Sequence, residues 1–470
     1  MTQLSLRRLS LAALALVPVV ALLMSGCAGP RPAAPEAAAV TPPPAWREQA
    51  GPAAPIERDW WRRYGDPVLT QLVETALRNN PDLGIAAARL AEANAQQRLA
   101  RAQMLPTLDA VASGGRSRSL SALGRESLSN TFEPQLEAAL PLDLYGRLSD
   151  LQQAARLGGI AAHAARDAAI LTVAASTARA YLTLRAFDAQ LQVVRDTLRA
   201  RETALRLARR RAEAGYTSEL ELEQARAEYE ATAQAVPQAE LAVSQQENAL
   251  LLLTGDTQAT AIPRGEPLSA LRIPALAPGL PAELLRRRPD LAQAEYQLAA
   301  SDANLSAARK AFLPQIDLTA STGLLFTSAV SGPIQLWSIG GSILAPIFAG
   351  GRIEASADLA AAQRDQAAFA YRRTALAAFR EVNDNLAALS RLDAQAQRLR
   401  AQRDALAAAL RHATNRYRAG YSPYLEQLDA QRGLLNAELS LIQVEADRFG
   451  ASVALYQALG GGWDAALLRQ

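Results

Sequence analysis

Apolar positions along this chain recur at two different periods. Residues 68–103 have helix-forming composition with apolar positions at Leu69, Leu72, Val73, Ala76 and Leu77, a spacing that predicts a helix ended by Pro106. The stretch from Leu291 to Leu313 repeats that character. From Phe132 to Leu144 the period drops to two: Phe132, Pro134, Leu136, Ala138, Leu140, Leu142 and Leu144 alternate with Glu133, Gln135, Glu137, Ala139, Pro141 and Asp143. This predicts a strand with one oily face and one mostly wet face. Trp337, Ile339, Gly341, Ile343, Ala345 and Ile347 against Ser338, Gly340 and Ser342 predict a second strand, and Ile316, Leu318 and Ala320 against Asp317, Thr319 and Ser321 a third. A weaker fourth covers 107–119, so two β-hairpins are expected, over 107–144 and 315–348, with loops near 120–130 and 327–333.

After each β-hairpin come helical runs with almost no breakers, 148–214 then 218–254, and 353–418 then 423–459. At 1.5 Å per residue the longest would reach on the order of 100 Å, far more than a globular domain needs. Such helices must pair along their length, and Ala-rich faces permit close approach. Gly215-Tyr216 and Gly420-Tyr421 are expected to form the tight turns of two helical hairpins, 148–254 and 353–459, and Pro237 is expected to kink or bend the first.

The two halves are copies of one unit. Pro81-Asp82-Leu83 recurs as Pro289-Asp290-Leu291, and Leu105-Pro106-Thr107-Leu108-Asp109 as Leu313-Pro314-Gln315-Ile316-Asp317, both offset by 208. Pro141 and Gly146-Arg147 match Pro346 and Gly351-Arg352, and Arg211 with Ala214-Gly215-Tyr216 matches Arg416 with Ala419-Gly420-Tyr421, offset by 205. Leu250 and Gly255 against Leu455 and Gly460 close the series. The repeats are assigned to 59–275, which includes an equatorial segment, and 276–470, which ends in a C-terminal segment.

Four strands with one lipid-compatible face cannot stand alone in a bilayer, because open edges would leave backbone groups unpaired in hydrocarbon. Sister chains must complete the sheet. Three chains give twelve strands, wide enough for a polar lumen, where two would give a packed barrel of eight. The expected fold is mainly α with a small β part: a trimeric twelve-stranded transmembrane β-barrel, four strands per chain, continued by a long α-helical barrel.

The N-terminus adds an address. Arg7, Arg8 and the apolar stretch Leu9–Leu23 read as a secretory signal over 1–26, too short to span a bilayer comfortably. It ends in Met24-Ser25-Gly26-Cys27, which resembles the bacterial lipobox, with Met24 in place of the usual Leu; the resemblance implies a diacylglycerol and an acyl chain on Cys27 and, with Ala28 next, transfer to the outer membrane. Residues 27–58, rich in Pro and Ala, read as a lipidated flexible or polyproline-like tether.

Composition then narrows the chemistry. Cys27 is the one cysteine, and the two histidines, His163 and His412, lie far apart in sequence, so neither a metal-ligand spacing nor a Cys/His nucleophile pair can be drawn. No acid/base cluster and no phosphate-cradling glycine loop is present, so neither an enzyme nor a cofactor is expected beyond the lipid on Cys27. With 49 Lys+Arg against 46 Asp+Glu the net charge is +3 and no basic run is long enough to track phosphates, which excludes a nucleic-acid partner.

Trp60-Trp61-Arg62-Arg63-Tyr64-Gly65-Asp66-Pro67, Asn80-Pro81-Asp82-Leu83, Arg287-Arg288-Pro289-Asp290, Leu-Pro at 105 and 313, and Leu459-Gly460-Gly461-Gly462-Trp463 together resemble the TolC-like outer-membrane factor family, in its lipoprotein branch serving resistance-nodulation-division pumps. The resemblance covers nearly all of the chain after the signal. It implies a homotrimer whose periplasmic tip opens like an iris, joined through a periplasmic adaptor to an inner-membrane pump that supplies the energy. It further implies a gate at the two helical turns. Glu426 and Asp429 would form an acidic ring favouring cations, Tyr417 a gate tyrosine with Glu221 as its acceptor, and Gly215 and Gly420 the tip turns; Ser422 stands where some members carry a locking arginine. A type I secretion duct, heavy-metal efflux and a pore-free structural lipoprotein are the other readings. The scarcity of Met and His after the signal offers no copper or silver path, and the alternating strands disfavour the last.

Overall fold

The computed structural model describes residues 32–48, 56–120, 124, 126–256, 261–276 and 278–469; the signal over 1–26 and the acylation site at Cys27 lie outside the described residues. In chain order the elements are α1 (Pro67–Asn79), α2 (Pro81–Ala102), β1 (Thr107–Leu120), β2 (Glu126–Leu142), α3 (Arg147–Glu213), α4 (Glu219–Thr254), α5 (Pro281–Arg287), α6 (Pro289–Lys310), β3 (Gln315–Thr327), β4 (Ile334–Leu344), α7 (Arg352–Arg418) and α8 (Tyr424–Ala458). Helix, β-hairpin and long helical hairpin thus occur twice.

Two expectations need correction at this level. The run expected over 68–103 is broken at Asn80, which is held extended before Pro81, donates from its carboxamide to the Leu253 carbonyl (2.8 Å) and accepts from the Asp82 amide (2.8 Å). Pro237, expected to interrupt its helix, lies inside a continuous α4. Its missing N–H removes one ladder bond of a 36-residue helix, a local loss that the flanking turns absorb.

The chain divides into two compact units. One comprises Arg89–His163 and Gln293–Arg373 with residues 32–40, and contains the sheet. Its strands run in the order β1-β2-β3-β4, each antiparallel to the next. The register Leu108↔Ala138, Ala138↔Ala320 and Ala320↔Ile339 puts the alternating apolar positions of β2 on one face with Leu108, Leu318, Leu324, Trp337 and Ile343, and with Arg116 and Arg118 near the β1–β2 loop. Phe132 and Phe326 pair on that face, and Ile339 there is 80% exposed in the single chain. The other face is mixed: it carries Val111, Leu336 and Leu344 beside Glu133, Gln135, Glu137 and Ser321, whose hydroxyl shares a 2.9 Å hydrogen bond with Ser338. Lys310 ties the end of α6 to the start of α3 through Asp150 (2.6 Å) and the Gly146 carbonyl (3.2 Å). No helix among the described residues is long and apolar enough to cross a membrane.

The other unit comprises Thr41–Ala88, Ala164–Ala292 and Thr374–Gln470. Its core explains the aromatic motif. Trp60 stacks on Tyr456 with centroids 4.8 Å apart, and the Tyr64 hydroxyl, buried and held well above its ordinary pKa by desolvation, shares a 2.8 Å hydrogen bond with Ser452. Buried Asp66 caps α1 by accepting from Val68 N (2.8 Å) and Leu69 N (3.2 Å), and accepts the Tyr181 hydroxyl at 2.8 Å. Arg288 of the second motif is buried and donates to Asp290 (3.0 and 2.7 Å), Glu381 (2.7 Å) and the Ala458 carbonyl (3.0 Å).

The tether expected over 27–58 is also corrected: its described residues 32–48 are docked. Buried Arg364 donates to the carbonyls of Pro32 (3.1 Å) and Ala33 (3.0 Å). Trp46 is buried and donates to the Gly279 carbonyl (2.7 Å), the Arg47 amide donates to Asn383 (3.1 Å), and Glu48 pairs with Arg391 (3.1 Å). A segment without hydrophobic period is held by side chains that satisfy its own backbone groups.

Candidate gate at the helical turns

The two helical hairpins, α3/α4 and α7/α8, close with the same chain reversal. Gly215 (φ 73°) and Gly420 (φ 77°) adopt the left-handed conformation that side chains disfavour, and Tyr216 N and Tyr421 N bond back to the carbonyls of Arg211 (2.8 Å) and Arg416 (2.9 Å). That geometry sets the next residues at matching places. Tyr216 and Leu220 on one turn, and Tyr421 and Leu425 on the other, are exposed.

Behind the turns a small core of Ala208, Ala225, Tyr417, Tyr424 and Leu428 joins the hairpins. Tyr417, in the last turn of α7, donates its hydroxyl to Glu221 in the first turn of α4. Burial, with the Glu221 carboxylate beside it, pushes the Tyr417 hydroxyl up to about 12, so it remains a donor throughout the physiological range. The Arg211 guanidinium lies 4.8 Å from the centre of the Tyr417 ring. Sequence reasoning assigned Arg211 no role at the site; its match with Arg416 in the repeat was the signal available.

Glu426 and Asp429 are exposed on the first two turns of α8, and Arg416 approaches Glu426 at 3.6 Å while standing largely in solvent. Ser422, in the turn, buries its hydroxyl oxygen. One further cluster escaped the sequence reading. Arg201 of α3, Glu228 of α4 and Arg432 of α8 meet around the Glu228 carboxylate, Arg432 Nε donating to it at 2.8 Å. His163 is half-buried and His412 exposed, and among the described residues no group of His, Cys, Asp and Glu is placed to hold a metal ion.

A family model described as outer membrane efflux protein matches the chain twice, over residues 72–256 and 280–461. The chain belongs to the outer membrane efflux protein family. The double match falls on the two halves that the internal repeat defines. OprJ, an outer membrane protein of Pseudomonas aeruginosa, is 38% identical over 467 residues covering 95% of each chain. The probable efflux pump outer membrane protein TtgC of Pseudomonas putida is 36% identical over 460 residues, 95% of this chain and 94% of its own. The solved Campylobacter jejuni CmeC outer membrane channel superposes with a TM-score of 0.86 at 26% identity, covering 93% of this chain and 95% of CmeC. As an outer membrane efflux protein the chain is a channel subunit, and it contributes a four-stranded antiparallel sheet with two open edges.

Proposed function

We propose that three copies of this chain form a passive exit duct in the outer membrane, anchored by a diacylglycerol and an acyl chain on Cys27, through which amphiphilic drugs, solvents or similar small molecules leave the periplasm. The observation that carries the reading is the sheet: an exposed, mainly apolar face in register over four strands, with a more polar opposite face that carries Glu133, Gln135 and Glu137, and two open edges. That combination needs hydrocarbon on one side, water on the other and sister strands at the edges. The duct performs no bond chemistry. Its cargo would be delivered by an inner-membrane resistance-nodulation-division pump through a periplasmic adaptor, and the repeated exposed pairs Tyr216/Leu220 and Tyr421/Leu425 offer that adaptor apolar contacts. Acyl chains would hold the N-terminus by burying methylene groups, each contributing about 0.8 kcal/mol. The purified protein, added to a planar lipid bilayer, is expected to give discrete single-channel steps; a water-soluble monomer that leaves the membrane silent would refute the duct.

Within this reading the turns are the gate. Tyr417 with Glu221 and Arg211 holds the hairpins together, and the exposed carboxylates of Glu426 and Asp429, repeated three times, make the mouth cation-selective. Asp429→Ala is expected to lower the cation-to-anion permeability ratio about fivefold, the effect of a difference of roughly 1 kcal/mol between cation and anion at water-like dielectric. Glu426→Ala should do less, because Arg416 already offsets that charge. Reversal potentials in a salt gradient measure both, and unaltered selectivity in Asp429→Ala would remove the ring.

A further inference from the structure

The buried charges behind the gate do a job that close helix packing does not require. Glu228 sits on α4 two turns beyond Glu221 and Arg201 faces it from α3, with side chains only 10% and 4% exposed. Arg201 also donates to the Glu228 backbone carbonyl at 3.0 Å. Both belong to the first helical hairpin. Arg432 reaches the same carboxylate from α8 of the second hairpin, yet its own side chain is 55% exposed.

The molecule contains its own control. Shifted by the 205-residue offset that relates Gly215 to Gly420, Arg201 and Glu228 correspond to Leu406 and Gly433. Those two also touch: a Cβ added to Gly433 would meet Leu406 Cδ2 at 3.1 Å. In the second hairpin the equivalent contact between its helices is therefore made without a charge, consistent with the general finding that buried ion pairs seldom outdo apolar packing in stability. What the charges add in the first hairpin is a grip on Arg432.

We propose that Glu228, held by Arg201, is the fixed half of a second latch between the hairpins, that Arg432 is its movable half, and that Arg432 is a positioning residue for the gate. This rests on the channel reading above. The unequal exposure makes the latch reversible. When the hairpins part, Arg432 passes into water, where it is well solvated, while Glu228 keeps Arg201 as its partner. No buried charge is stranded, so release costs the Arg432 contact alone.

The test is the open fraction of single channels in planar bilayers, with thermal unfolding of the trimer measured alongside. Arg432→Ala is expected to raise the open-to-closed ratio about tenfold, the change that a coupling of about 1.4 kcal/mol produces, with little shift in unfolding temperature. Arg432→Lys should recover part of the closure. The double variant Arg201→Leu/Glu228→Gly, which transplants the contact of the second hairpin into the first, should open the channel to the same extent, and adding Arg432→Ala to it should change nothing further. Parent channels of normal size with an unmoved open fraction in Arg432→Ala and in the transplant would overturn the latch alone. A parent that forms no channels would overturn the duct and the latch together.

Discussion

Ile339→Arg should abolish the folded channel, whereas Ser338→Arg, one residue earlier, should leave it assembled. Ile339 is the sixth of the eleven residues of β4, so in a tilted strand it falls near the middle of the hydrocarbon layer. It shares the oily face with Ala320, its partner across the ladder, and is 80% exposed in the single chain. A guanidinium placed there costs about 2–4 kcal/mol per subunit on a barrel's lipid face, and three subunits suffer it at once. Ser338 points to the opposite face, where its hydroxyl bonds that of Ser321; an arginine there meets water. The recovery of heat-dissociable trimers from membranes reads both variants. Equal recovery of the two would mean that the oily face does not meet lipid.

Asp66→Ala is expected to destabilise the helical unit by about 3 kcal/mol, combining a lost helix cap of about 1 kcal/mol with a buried Tyr181 hydroxyl deprived of its acceptor, at about 1–3 kcal/mol. Burial and the Asp66 hydrogen bond hold the Tyr181 hydroxyl well above its ordinary pKa, so it stays a donor that requires that acceptor. Gly265 N donates to the same hydroxyl at 2.9 Å, so one carboxylate organises the start of α1, a side chain of α3 and a loop after α4. Asp66→Asn keeps an oxygen for the cap and should lose less than half as much. Denaturant unfolding distinguishes the two, and wild-type stability in Asp66→Ala would show that the contacts are dispensable.

The parts legible in the sequence were those written in local period. Alternation over Phe132–Leu144 and around Trp337–Ile347 located the strands and their common oily face, because a strand's two faces are recorded in adjacent letters. The breaker-free runs gave the long helices, and Gly215 and Gly420 their turns. The docking of residues 32–48 was not legible, since Arg364, Asn383 and Arg391 lie more than three hundred residues away and a Pro/Ala segment carries no period of its own. Nor was the Arg201–Glu228–Arg432 cluster: a charge on a long helix looks the same in sequence whether it faces water or a partner helix. Pro237 does not divide its helix, because the helix-forming residues on both sides outweigh one lost ladder bond.

The tandem halves have diverged at the proposed gate. Glu221 and Glu426 occupy equivalent positions, yet one takes the hydroxyl of Tyr417 and the other lies exposed at the mouth; the residue matching Tyr417 in the first half is Ala212. Six identical halves of the first kind could still line up twelve strands, but they would hold Glu221 with no tyrosine to donate to it, because Ala212 stands at that place. Duplication of such a unit is sufficient to make a tube, while a tyrosine-to-carboxylate clasp between unlike hairpins arises only once the two daughters cease to be interchangeable.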